Sequence, residues 1–108
     1  MSSSDVKASK ALAATGQLQG YIVSGAGTET NLGPIRIQSV QAQASAADAT
    51  IKIYDGTSAS GTKLLIEFKF GSAANEQFDH YLPNDGVKFN TGAYVVLANC
   101  DFFVAYYN

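Results

Sequence analysis

The stretch "TIKIYDGTSASGTKLLIEFKF", residues 50–70, alternates with a period of two on both sides of a small-residue loop. Before the loop, Ile51 and Ile53 share one face, and Lys52 and Tyr54 share the other. After it, Leu64, Ile66, Phe68 and Phe70 lie opposite Glu67 and Lys69. A repeat of two puts apolar side chains on one face of a strand, whereas a helix needs a repeat near 3.6. The β-branched and aromatic content agrees with strand. The segment therefore predicts two strands meeting through a hairpin loop.

That loop comes close to a phosphate-binding sequence. In G-x-x-x-x-G-K-[ST], backbone N–H groups and one Lys surround nucleotide phosphates. Gly56 and Gly61 have the required spacing, but Thr62 and Lys63 stand in reversed order. Such a loop works because a helix follows and aims its unpaired N–H groups at the anion. Here a strand pattern follows, and the reversal displaces the metal-binding hydroxyl. The segment reads as a turn opened by Asp55-Gly56 and closed by Gly61, not as a nucleotide site.

The rest of the chain repeats the β pattern. "GYIVSG" forms a short strand, and "AGTETNLGP" is a polar loop. In "PIRIQSVQAQA", Ile35 and Ile37 occupy one parity, whereas Val40, Ala42 and Ala44 occupy the other. A switch of parity within one strand predicts a bulge near Ser39. "QFDHYL", "VKF", "AYVVLA" and "DFFVAYY" complete the series, with "PNDG" as a tight turn. About eight antiparallel strands predict an all-β fold, a single-domain β-sandwich of jelly-roll or immunoglobulin-like type. Residues 1–16 form a flexible N-terminal arm or a first strand, and residues 17–108 form the sandwich domain. Within the arm, Val6, Ala8, Lys10 and Leu12 share one parity.

Composition limits the function. Only 15% of the 108 residues are charged, against 46% hydrophobic, so little charge is available to cover the outside of so small a domain. Part of that outside is expected to be buried in an assembly. The net charge of −2 comes without a basic block, which argues against nucleic acid as a partner. The opening "MSSSDVKASKALAATG" lacks a signal-type apolar run, and no stretch has the length of a membrane span, so a soluble, unprocessed chain with no membrane partner is expected.

Residues capable of chemistry are sparse. His80 is the sole His and has no Ser or Cys partner with motif character; it reads as a structural or surface residue sharing a face with Phe78 and Leu82. Cys100 is the sole Cys, which excludes an internal disulfide, and reads as a small half-buried hydrophobe. Asp48, Asp55, Asp79, Asp85 and Asp101 fall mostly at loops or strand ends without a calcium-loop spacing, so turn formation is their default role. No catalytic, cofactor-binding or metal-binding residue is assigned, and the chain is not expected to be an enzyme.

The final stretch "AYVVLANCDFFVAYYN" is apolar on both parities, with Phe102, Val104 and Tyr106 on one face and Phe103, Ala105 and Tyr107 on the other. A strand at the surface of a sandwich ordinarily has one wet face. Two apolar faces mean either a central strand covered on both sides or a subunit or capsid interface; the interface is favoured, with Phe102, Phe103, Val104, Tyr106 and Tyr107 as its candidate residues.

The capsid enters through a resemblance. "IKIYDGTSASGTKLL", "LPNDGVKFNTGAYVVL" and the closing "FFVAYYN" resemble segments of small virion structural proteins of tailed bacteriophages, especially of the marine and cyanophage type. The likeness covers the chain from Thr50 onward and extends to the first half only in layout; "FGSAANEQFDHY" departs from it by being more polar and more aromatic. The resemblance implies a β-sandwich or jelly-roll subunit on the virion, made in the host cytoplasm and commonly a homotrimer. As a capsid decoration (cement) protein it would bind the major capsid protein and stabilise the head. The alternative is a tail or head-surface adhesin that binds host glycan through Tyr21, Tyr54, Tyr81 and Tyr94. Neither role implies a cofactor.

Overall fold

The computed structural model describes residues 6–21, 28–29, 34–59, 63–71, 75–83 and 86–108. Its regular structure is strand throughout. In chain order these are β1 (Lys7–Ala8), β2 (Gly16–Gln17), β3 (Gly20–Tyr21), β4 (Thr28–Glu29), β5 (Ile35–Ala44), β6 (Thr50–Asp55), β7 (Leu64–Lys69), β8 (Gln77–Tyr81), β9 (Val87–Phe89), β10 (Ala93–Ala98) and β11 (Cys100–Tyr107). One sheet runs β1-β11-β5-β8, with β9 also on β5; the second runs β2-β10-β6-β7; β3 and β4 form a small ribbon.

The pairings are nested. β6 pairs with β7, β5 with β8 and β9, β2 with β10, and β1 with β11, all antiparallel. The chain is thus one long hairpin whose tip is the loop after Asp55. Two further pairings, β11 on β5 and β10 on β6, roll that hairpin into two facing sheets. Counting β8 and β9 as one interrupted strand, this eight-stranded order is that of a jelly roll rather than an immunoglobulin sandwich.

The loop between β6 and β7 leads into a strand that begins at Leu64, in antiparallel register with β6 from Tyr54↔Leu64 to Thr50↔Lys69. Among the described residues no α-helix follows it, so the helix N-terminus on which a phosphate loop relies is not found there. The expected closing residue Gly61 lies outside the described residues, as does Asp85.

The parity switch of β5 is also present. Ile35 and Ile37 are buried, as are Val40, Ala42 and Ala44, with Gln38 and Ser39 between them. Tyr106 faces Ser39 whereas Tyr107 faces Ile37, which leaves Gln38 as the extra residue. On the other edge of β5 the same point separates β8 from β9: Tyr81 faces Ser39 and Val87 faces Ile37. Leu82 N–H donates to the Gln38 carbonyl at 2.8 Å and holds the excursion down. Gly86 returns it with φ +85°, where a Cβ would overlap the Ile37 carbonyl oxygen.

The core lies between the sheets. β5 and β11 supply Ile35, Ile37, Val40, Phe103, Ala105 and Tyr107; β6, β7 and β10 answer with Ile51, Ile53, Ile66, Ala93 and Val95. The arm is an edge strand in extended contact with β11, reaching Leu12, whose N–H and carbonyl both bond Phe103 at 2.9 Å. Its buried residue is Ser9, while Leu12 of the Ala8 parity packs against the core further along: Ser9 Oγ accepts from Ala105 N–H at 2.9 Å. A hydroxyl serves there because it satisfies a backbone donor at a sheet edge.

Asp55 is the buried carboxylate. It accepts N–H bonds from Thr91 at 2.8 Å, Asn90 at 3.1 Å and Gly92 at 3.4 Å, tying the end of β6 to the turn before β10. Burial pushes its carboxyl up, but these three donors and the Lys63 charge outweigh that effect and hold it below the usual 3.8. A depressed pKa in the folded state means that stability is gained above the unfolded-state value and lost as pH falls through the folded one. Unfolding midpoints measured from pH 7 downward should stay flat to about pH 4 and then fall in the wild type. Asp55→Ala should cost about 2 kcal/mol at neutral pH and flatten the acid limb. Gly86→Ala should cost more than about 2 kcal/mol by denaturant titration, from the positive φ and the carbonyl overlap together.

Candidate functional site

The rolled hairpin places β11 inside a sheet, so its two apolar faces have different fates. Phe103, Ala105 and Tyr107 point into the core, with Phe103 at 0% and Tyr107 at 5% exposure. These two members of the expected interface are core residues. The sequence could not separate them from their neighbours, because both parities of β11 are apolar. Phe102, Val104 and Tyr106 occupy the outer face and are half-buried.

Their surroundings come from β5 and β8. Across the sheet, Phe102 aligns with Gln43 and Gln77; Val104 with Gln41 and Asp79; and Tyr106 with Ser39 and Tyr81. Tyr81 is 73% exposed, and Val6 at the start of the arm is 45% exposed. The outer face of this sheet is thus apolar and aromatic along β11 and around Tyr81, and rich in amides along β5. Tyr106 Oη donates to Gln41 Oε1 at 2.9 Å, crossing between the two regions.

Over the Phe102 end of this face lies a depression of about 210 Å³, lined by Gln41, Ala42, Gln77, Phe78, Asp79 and Phe102. Sequence reasoning passed over it, since it needs three strands distant in sequence to be set side by side. The only available signal was the run of Gln residues in "IQSVQAQA", whose outward parity becomes readable once the Ser39 switch is recognised.

The other candidates take structural places. His80 stands over an aromatic cluster at the edge where β7 and β8 face each other. Its ring lies 5.7 Å from Phe78, nearly parallel, and 5.4 Å from Phe68, edge-on. Phe68 and Phe70 contact Phe78 at 4.9 and 5.3 Å. The cluster closes one side of the sandwich. Cys100 is half-buried against the core, with its thiol directed at the carbonyls of Thr50 and Ala98; burial pushes it up, away from a reactive thiolate, and with the Asp101 charge outweighs the opposing hydrogen bond to Ala98. Among the described residues, no group of three His, Cys, Asp or Glu side chains is placed to hold a metal ion.

On the second sheet, Tyr54 and Tyr94 are direct cross-strand partners on the outer face, and both are half-buried. The side chain of Tyr21 lies outside the described residues. No known protein family, curated protein or solved structure matches the chain.

The two faces of β11 can be separated by substitution. Phe103→Ala should cost about 3–5 kcal/mol, as expected for a large core cavity. Val104→Ser on the outer face should cost less than about 1 kcal/mol in the same denaturant titration.

Proposed function

We propose that this protein is a structural subunit of a tailed-phage virion, a capsid decoration (cement) protein that binds the major capsid protein and stabilises the head as a homotrimer. The observation that carries the reading is the outer face of the β1-β11-β5-β8 sheet. Phe102, Val104 and Tyr106 present a half-exposed apolar strip there, extended by Tyr81 and Val6, in a chain with only 15% charged residues. Exposed aromatic and aliphatic groups in one strip mark a surface that gains from being covered.

A cement role requires this kind of surface. It needs contact area that many copies present identically, on a scaffold too rigid to lose affinity to ordering. A jelly roll with its strands nested end to end supplies that rigidity. The resemblance of the segments from Thr50 onward to phage virion proteins supports the same role and, with it, a position on the capsid surface.

The test is pelleting with undecorated heads of the encoding phage. Wild-type protein should co-sediment saturably, at a fixed number of copies per head. Val104→Asp combined with Tyr81→Asp should weaken binding about tenfold or more, through burial of unpaired charge. In light scattering the free protein should weigh three copies of the 11.4 kDa chain. Absence of pelleting at micromolar protein overturns the capsid reading, and a monomer at high concentration overturns the trimer.

A further inference from the structure

The depression on the outer face has a composition that narrows its ligand. β5 forms its floor at Ala42, whose side chain points into the core and so puts no side chain on the outer face at that position. β11 and β8 flank β5, so Phe102 rises on one side and Gln77 and Asp79 on the other, about 9.5 Å apart at two strand spacings. That width accepts one saturated six-membered ring lying against the Phe102 face. At about 210 Å³ the space is smaller than a drug-sized pocket.

The polar groups decide the chemistry. Gln41 Oε1 is already engaged by the Tyr106 hydroxyl, so what Gln41 offers the depression is its NH₂, a donor. Asp79 is exposed and, when ionised, only accepts; Gln77 can do both. An ammonium or guanidinium group could donate to Asp79, but having donors alone it gives the Gln41 NH₂ nothing to donate to. A phosphate or carboxylate is repelled by the Asp79 carboxylate. A group with both donors and acceptors around an apolar ring face satisfies every wall at once.

We propose that this depression binds a single neutral sugar residue, with its C–H face on Phe102, adjacent hydroxyls donating to Asp79 and a hydroxyl oxygen accepting from Gln41. The assignment is independent of the virion reading and involves different side chains from the Tyr54 and Tyr94 pair. Phe102 also belongs to the strip proposed for docking, so a partner that covers the whole of β11 would close the depression, and the free protein is the state to test.

Titration of isotopically labelled protein with the methyl glycosides of glucose, galactose, mannose and N-acetylglucosamine, read by amide and side-chain NMR shifts, tests it. At least one of the four should shift the Gln41 and Gln77 side-chain NH₂ signals with a dissociation constant of about 1 mM. Asp79→Ala and Phe102→Ala should each weaken that binding by about tenfold or more, and Phe102→Tyr should retain it. These side chains lie outside the core, and an unchanged amide spectrum of each free variant shows that the fold is kept. No shift with any of the four glycosides overturns the proposal. So does binding that survives both alanine variants, and so does binding whose shifts centre on Tyr54 and Tyr94.

Discussion

The pairing of β11 with β5 is the interaction on which the rest of the structure depends. Without it, the nested pairs would make one long two-stranded ribbon, and a ribbon has no interior. With it, the last strand lies between the arm and the first long strand, from Cys100↔Ala44 to Tyr107↔Ile37. Phe103, Ala105 and Tyr107 are thereby carried over the opposite sheet, where Ile51, Ile53 and Val95 meet them. The pairing joins residues more than fifty positions apart, so its loop-closure cost is recovered only when both sheets form together. The bulge at Gln38 fits that demand. It lets β5 keep apolar residues inward along its whole length while bending around the core.

The sequence made much of this legible because period two survives any topology. The strands beside the Asp55 loop, the switch near Ser39 and the single sandwich domain were all readable, since each follows from which side chains must avoid water. Strand order was not readable: nested pairing is a relation between distant segments, and no local pattern encodes it. The two faces of β11 were misjudged in part for the same reason. Phe103 and Tyr107 look like Phe102 and Tyr106 until the neighbouring sheet is placed. Ser9 was hidden for a different reason, because its burial depends on a backbone donor, Ala105 N–H, that a hydropathy pattern does not register.

Asp55 shows how a residue that suggests chemistry serves the fold instead. In sequence it opens a loop that resembles an anion site. In the structure it is itself the anion, enclosed by three N–H groups of the 90–92 turn. The geometry inverts the initial suggestion: the residue that opens the loop is the anion, and its donors come from a different turn. A buried carboxylate with three donors ties the tip of the hairpin to the turn that leads into β10, and so fixes where the second sheet begins.

A jelly roll alone does not select a function, because the same scaffold carries many. What distinguishes this chain is the unequal dress of one sheet face, apolar along β11 and amide-rich along β5. The hydrogen bond from Tyr106 to Gln41 joins the two regions. Tyr106 belongs to the apolar strip and Gln41 lines the depression, so one hydroxyl ties together two regions of the face that the sheet would otherwise keep apart.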